Sequence, residues 1–217
     1  MIDMYDFHCH STLSDGDMLP IEMIRRMAVL GYSTVAISDH VDATNLKEVI
    51  TAVNRLKKSA SLFGVRLLCG VEITHVPPEE IAGIAREAKE TGADLVLVHG
   101  ETIVEPVAPG TNHAAVSCRD VDILAHPGLL SREDAQTAAE HGIYIEITSR
   151  NGHNRTNGHI VSLGRELGCE LIVQSDAHEP RDLLDREARW LLARGAGLSE
   201  EESLRVLGTE RSIFHRF

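Results

Sequence analysis

Short apolar runs rich in β-branched residues recur along the chain, and each closes on a histidine or a carboxylate. Residues 33–40 end in Asp39 and His40, 67–72 in Glu72, 94–99 in His99 and 121–126 in His126. The opening stretch Asp6-Phe7-His8-Cys9-His10 and the distant Ser175-Asp176-Ala177-His178 have the same character. Runs of this length between polar segments predict buried strands. Between them the apolar positions change to helical spacing. Ile21, Ile24, Met27, Ala28 and Leu30 line one face, with Pro20 in the first turn and Gly31 beyond the last. Residues 46–63, 79–91, 131–141 and 159–167 repeat that periodicity, and Gly92, Gly142 and Gly168 stand where a helix ends in a left-handed cap. A final helix opens at Glu200, Glu201 and Glu202 behind Ser199, where acids suit the helix N-terminus. The order predicts seven strand–helix units.

The polar strand ends fall at 10, 40, 72, 99, 126, 146 and 176. One β-α-β repeat takes roughly 30 residues, so this cadence fits a parallel sheet winding around itself. An open doubly wound sheet also fits the apolar runs, but it spreads its strand ends along a line. Closing the sheet into a barrel gathers them around one small volume, and that is what a shared set of metal-capable residues needs. No Pro/Ser-rich linker divides the 217 residues, so one domain over 1–217 is expected.

Alternate residues of a strand point to the same side, so His8 and His10 can share a centre, as can Asp176 and His178. A lone His-x-His also fits a half-buried strand with a polar face; repetition at successive strand ends favours metal binding. Mixed nitrogen and oxygen donors suit Zn, Mn or Fe better than Ca or Mg. Cys9, between two such histidines, is expected to face away. Cys9, Cys69, Cys118 and Cys169 form no Cys-x-x-Cys pair, and no signal peptide or long apolar span is seen, which fits a reducing cytoplasm and no membrane partner. Met1-Ile2 leads almost directly into the first strand, with little room for a leader. The formal charge of −12 argues against general attraction to nucleic acid, although bound divalent cations would reverse the sign locally. An aromatic content of 4% supplies no row of rings for stacking bases.

The set His8-Cys-His10-Ser, Asp15-Gly16, Asp39-His40, Gly70-Val-Glu72, His99, Ala125-His126-Pro127 and Asp176-Ala-His178 resembles the polymerase and histidinol phosphatase (PHP) family, in order over nearly the whole chain. The resemblance implies a distorted, TIM-like (β/α)7 barrel of the α/β class with its metal site at the C-terminal strand ends. It also implies two or three divalent ions, Zn, Mn or Fe, and hydrolysis of phosphate esters. Carried over by position, it implies His8, His10, Glu72 and Asp176 around a first metal, with Glu72 bridging to a second held by His99 and His126. Asp15, His40 and His178 would hold a third; some relatives have histidine at Asp15, with Asp17 the fallback here. A carboxylate can bridge because each oxygen can serve one cation, which a neutral imidazole cannot do. Two such cations roughly 3.5–4 Å apart acidify a shared water and clamp phosphoryl oxygens, so a bridging hydroxide is the expected nucleophile. Glu72, Asp176 and His178 are the expected catalytic residues, and the general acid is either a metal-bound water or His178.

This reading predicts a phosphoric monoester hydrolase acting on a small phosphorylated substrate, with L-histidinol phosphate, and hence histidine biosynthesis, to be tested first. The alternative is a nucleotide or oligonucleotide phosphoesterase, a nucleotidase or exonuclease, because the Asp15-Gly16 form of the first loop is similar to some of those relatives. The acidic balance disfavours long duplexes but admits a short strand. An amidohydrolase would carry a bridging lysine, where this chain has Glu72 and no lysine at its strand ends. A non-catalytic scaffold of the family would have lost ligands.

For substrate capture, the loop at 148–158 offers Arg150 or Arg155 to a phosphate, since an arginine fork fits it bidentately; the other reading is a solvated surface loop in which Asn151 and Asn154 serve the turns. Glu146 is either a ligand or the acceptor for a ligand histidine. The stretch 101–113 is either a lid or packing for the barrel. His75, His113, His141, His159 and His215 lie outside the matched motifs and read as surface, capping or packing residues. His113 and His153 are the exceptions to weigh, because their loops are expected to overhang the site. No feature of the sequence sets an oligomeric state.

Overall fold

Alternation along the strands decides the architecture. In the computed structural model, which describes residues 4–208, the strands are β1 (Met4–Asp6), β2 (Tyr32–Ile37), β3 (His40–Val41), β4 (Arg66–Ile73), β5 (Leu95–His99), β6 (Ile123–Ala125), β7 (Tyr144–Thr148) and β8 (Leu171–Gln174). All pairings are parallel, in the order β1-β2-β4-β5-β6-β7-β8, with β3 laid on the end of β4. Seven strands therefore form a nearly closed TIM-like barrel. Its seam, between β1 and β8, is held beyond the strands by the bridge of Cys9 with Ala177, where His10 N donates to Ala177 O at 2.8 Å.

Nine side chains from the seven strands, Tyr5, Phe7, Ala36, Leu68, Leu95, Leu97, Ile123, Tyr144 and Ile172, fill the lumen as one apolar cluster. Their neighbours in sequence, among them Leu67, Cys69, Val96, Val98, Leu124, Ile145 and Val173, belong to the larger core under the helices. Fully burying each such side chain is worth about 1.5–3 kcal/mol, so a one-residue slip of any strand would cost several side chains at once. The same phase that puts Leu68, Leu95 and Leu97 in the lumen carries Glu72 and His99 to its upper rim.

The helices are α1 (Pro20–Leu30), α2 (Leu46–Asn54), α3 (Lys57–Leu62), α4 (Pro78–Thr91), α5 (Thr111–Ser117), α6 (Arg132–His141), α7 (Asn157–Leu167), α8 (Arg186–Gly195) and α9 (Glu200–Leu207). As expected, α1, α4, α6 and α7 end at Gly31, Gly92, Gly142 and Gly168, all in the left-handed region. Ser199 and Glu202 cap α9 reciprocally. No helix among the described residues is long and apolar enough to cross a membrane.

Three stretches depart from expectation. Residues 33–40 do not form one strand: β2 stops at Ile37 because Ser38 N turns to Cys9 O at 2.9 Å and Asp39 accepts from Ser11 N, Ser11 Oγ and Ser14 Oγ, each at 2.7 Å. Residues 46–63 split where Leu56 N folds back to Val53 O at 2.9 Å, a turn that no Gly or Pro announces. The stretch 101–113 is a pinned loop that ends in the start of α5, the crossover helix between β5 and β6.

Candidate metal centre

Each side chain at the barrel mouth arrives by its own local device. Glu72 closes the inward row of β4, below which Gly70 lets β2 approach: an added Cβ there would meet Ile37 O and Ser38 Cβ at 3.0 Å. His40 pairs in register with Glu72 through β3, and its Nδ1 lies 2.8 Å from Glu72 Oε2 and 2.7 Å from Thr74 Oγ1. His99 is the last residue of β5. His126 follows Ala125, which has the lumen phase of Ile123, so plain alternation would send it outward. A left-handed backbone, φ 25°, turns its ring back over the lumen. Asp176 also has a left-handed backbone, φ 53°. Non-glycine residues in that region cost on the order of 1–3 kcal/mol and gather at functional sites.

The first His-x-His contains a similar break. Tyr5 and Phe7 share the lumen, yet His8 and His10 face the mouth while Cys9 turns into the outer core, as expected. His8 N donates to Asp6 Oδ1 at 3.2 Å, and this local bond accompanies the change of phase after Phe7.

Around Glu72 and Asp176 the distances are short and similar. His8 Nε2 lies 3.3 Å from Glu72 Oε1 and 3.7 Å from Asp176 Oδ1; His10 Nε2 lies 3.5 Å from Glu72 Oε2 and 3.3 Å from Asp176 Oδ1. His126 Nε2 reaches Glu72 Oε1 at 3.4 Å and Asp176 Oδ2 at 3.6 Å. Nearer solvent, Asp15 Oδ1 lies 3.4 Å from His178 Nε2, 3.5 Å from His40 Nε2 and 4.0 Å from His10 Nδ1. Asp17, the fallback, supplies its backbone N–H to His178 O at 2.7 Å. Among the described residues five sets of donors fall within 4.8 Å of one another: His8, His10 and Glu72; Glu72, His99 and His126; His10, Asp15, His40 and His178; His8, His126 and Glu146; and His75, His99 and Glu105. The structure thus brings together all nine residues expected around metals.

Glu146 accepts from His8 Nδ1 at 2.7 Å and from His126 N at 2.8 Å, one bond to each oxygen. It fixes the His8 ring with Nε2 facing the centre, the acceptor role of the two expected for it. His8 Nε2, both ring nitrogens of His10 and both oxygens of Glu72 are buried with no hydrogen-bond partner. Leaving a buried polar atom unsatisfied costs about 1–3 kcal/mol. The donor set fits a divalent cation, which would satisfy these atoms together.

The charges are strongly coupled. Burial opposes ionisation of Glu72 and Asp176, but the surrounding imidazoles, His8 foremost, hold both carboxyls below the usual range. Burial and the neighbouring His40 push His10 down to about 3, so its ring is neutral near pH 7. His40 goes the other way: burial disfavours its charge, yet Glu72 and Asp15 push it up to about 10. His8 and His126 are also raised, against burial, by the carboxylates Glu146, Glu72 and Asp176.

The mouth opens into a cavity of about 420 Å³ lined by Asp15, His40, His75, His99, Glu105, His126, Arg150, His153, Asp176 and His178. A neighbouring cavity of about 570 Å³ shares Glu105, Arg150 and His153 with it, so the two make one trough. Of the two arginines considered for phosphate, Arg150 lines both cavities and pairs with Asp182 at 3.4 Å. Arg155 is exposed and lines neither, because the 3-10 turn His153–Thr156 points His153 inward instead. His153 overhangs the site; His113 does not, its Nδ1 bonding Asp134 at 2.8 Å. His141 and His159 bond the carbonyls of Val116 and Leu130, while His215 lies outside the described residues.

Sequence reasoning missed Glu105. Its carboxylate lies 3.1 Å from His99 Nε2, 3.2 Å from His153 Nε2 and 3.4 Å from His75 Nε2. No strand phase or helical period governs that loop, so no sequence signal locates it. His75, read as a surface residue, is exposed as expected and faces this carboxylate from a left-handed backbone, φ 55°.

A family model described as RNase P subunit p30 matches residues 3–215. An uncharacterized protein of Methanocaldococcus jannaschii is 44% identical over 200 residues, which cover 91% of this chain and 92% of that one. Ribonuclease P protein component 3 of Methanosarcina acetivorans is 27% identical over 220 residues, with 94% and 85% covered. In fold, the chain is similar to one in the cryo-EM structure of archaeal ribonuclease P with mature tRNA, with TM-score 0.74, 16% identity, and 97% of this chain and 90% of that chain covered. These findings overturn the assignment to the polymerase and histidinol phosphatase family, and with it the phosphomonoester hydrolase, L-histidinol phosphate and histidine biosynthesis. The resemblance rested on a few residues at strand ends, where metal ligation limits the choice of side chain. The family match draws on nearly the whole chain.

Proposed function

The chain belongs to the RNase P subunit p30 family, and on that premise we propose that it acts on RNA, as a metal-dependent phosphodiesterase whose reaction takes place at the barrel mouth. The observation that carries this reading is the convergence of nine donors around buried atoms that make no hydrogen bond within the protein. Two or three divalent ions, Zn, Mn or Fe, are the proposed cofactors. His8, His10, Glu72 and Asp176 would hold the first, Glu72, His99 and His126 the second, and Asp15, His40 and His178 the third. When bound, such ions acidify a shared water and clamp the oxygens of a phosphoryl group.

The chain's own residues set the rest. Glu146 orients His8, so the ring keeps one nitrogen free for the centre. Neutral His10 offers a lone pair without first losing a proton. Arg150 stands in the trough as a phosphate fork. His178 lies at the half-open rim with Nδ1 against Asp176 O at 3.0 Å, so its Nε2 serves either the third ion as a ligand or the leaving oxygen as a proton donor, not both at once. With −12 overall charge and few aromatic rings, the chain is expected to take a short strand or strand end by its phosphates, through the bound cations, rather than a long duplex.

A second reading is a subunit that holds RNA within a multi-chain assembly without cutting it. Its support is the likeness in sequence to ribonuclease P protein component 3. To separate the two, metal-loaded protein is incubated with end-labelled single-stranded RNA, duplex RNA and precursor tRNA, with Mn, Zn and Fe supplied separately. Cleavage of a strand end that Glu72→Gln abolishes supports the phosphodiesterase. RNA binding without cleavage by fully metallated protein would leave the subunit role alone.

A further inference from the structure

The loop between β5 and α5 is held open at a set height over the mouth. Glu101 Oε1 accepts from Gly110 N at 3.0 Å and from Asn112 N at 2.9 Å, which ties the far end of the loop to its start. Val104 packs on Gly152, where an added Cβ would meet Val104 Cγ1 at 3.3 Å. Glu105 is thereby presented to three histidines from three separate loops or strand ends. Glu105 Oε2 lies 3.1 Å from His99 Nε2 and 3.4 Å from His75 Nε2, and these three residues offer donor atoms within 4.8 Å of one another, close to the spacing of roughly 3.3 Å between neighbouring ligands of tetrahedral zinc; the other oxygen, Oε1, lies 3.2 Å from His153 Nε2.

We propose that His75, His99 and Glu105, with His153 against the second carboxylate oxygen, form an additional outer site for a divalent cation of the zinc type, which shares only His99 with the nine-donor centre. Two observations besides the spacing point to a ligand. His153 and His99 are more than nine-tenths buried, and in each Nε2 faces Glu105 while Nδ1 has no hydrogen-bond partner. His75 holds a left-handed backbone that turns its ring toward Glu105. Two imidazoles and one carboxylate are a donor set that zinc takes readily and that Ca or Mg does not. His99 also belongs to the inner group with Glu72 and His126, so it stands between the two sites. The outer cation would lie over the trough shared by both cavities, beside Arg150, where a phosphate neighbouring the scissile one would pass.

The test is metal content. The full chain, stripped and reloaded with zinc, is desalted and analysed by inductively coupled plasma mass spectrometry, and its weakest-bound equivalent is titrated against a chromophoric chelator. Glu105→Gln is expected to remove one zinc per chain and His75→Ala to weaken that equivalent at least tenfold, both with unchanged circular dichroism. Glu72→Gln is expected to lose inner zinc while the outer equivalent stays. A full complement in Glu105→Gln overturns the proposal, as does loss of the inner equivalents along with the outer one, which would make Glu105 part of the inner centre. Because the readout is bound metal, a chain that keeps the outer zinc and cuts no RNA refutes the phosphodiesterase and leaves this site standing.

Discussion

Two buried charged regions lie within a few residues of each other along β1, and they are built on opposite principles. At the seam, the carboxylate of Asp6 accepts from His8 N at 3.2 Å and from Ser175 N at 3.1 Å. The buried guanidinium of Arg189 lies 4.5 Å over the Tyr5 ring and donates to the carbonyls of Tyr5 and Val173. Burial pushes Asp6 upward and Arg189 opposes that shift. Both groups find hydrogen-bond partners inside the protein. At the mouth, Glu72 and Asp176 face only imidazoles, and several of those nitrogens and both Glu72 oxygens have no partner. A complete buried ionic network holds a fold together; one short of a cation is suited to bind one.

Breaking the seam has the largest expected effect on the fold. Arg189→Met takes the donor from two buried carbonyls and the positive charge that offsets burial of Asp6, and urea unfolding of the metal-free protein should show a loss of about 3–5 kcal/mol. An unchanged midpoint would mean that the seam is not the self-contained unit described. At the mouth the corresponding change alters metal binding instead. Metal at about a thousand times its dissociation constant stabilises a folded chain by about 4 kcal/mol. Glu72→Ala should forfeit most of that gain in a thermal melt and lose two metals together, whereas Asp15→Ala should weaken chiefly the third. If metal analysis found the full complement in both variants, the bridging role of Glu72 would fail.

Glu146 joins the contrast at a smaller scale. Glu146→Gln should lower metal affinity by roughly 10–100-fold, because an amide has no negative charge and only one oxygen to accept from His8 Nδ1 and His126 N. Titration with acid and base sharpens the comparison further. The pKa of His40 is raised to about 10, so in the metal-free protein its contribution to stability is complete below about pH 6.5 and is lost as pH rises through 10. Metal binding must expel the protons on His40, His8 and His126, so affinity should rise with pH and calorimetry should detect proton release. A pH-independent affinity would show that these rings are not ligands. The smallest effect is expected at the trough: Arg150→Ala should raise the KM for RNA with metal retained, and Arg155→Ala should leave it unchanged.

Much of the clustering of histidines and carboxylates at the barrel mouth was legible because two simple regularities carry it. Strand phase places Glu72 and His99 on the lumen side, and few residue types other than histidine and carboxylates bind such ions. The same narrowness misled the reading of function, since a handful of ligands resembled one family while nearly the whole chain matched another. Where phase breaks, the sequence was silent. His126 returns to the mouth only through its left-handed backbone, and β2 stops at Ile37 only because Asp39 is claimed by Ser11 and Ser14.

What the sequence by itself determined was the periodic part: parallel strands, their spacing, the capped helices and the chemical type of each strand end. Periodicity reads neighbours along the chain, and those features depend on neighbours. Tertiary structure alone decided that Glu105 meets His75, His99 and His153, that Glu146 steadies His8, and that Arg150 rather than Arg155 enters the trough. These depend on loops whose positions are set by bonds to residues far away in sequence, such as the tie from Glu101 across to Asn112, and no local pattern encodes such a distance.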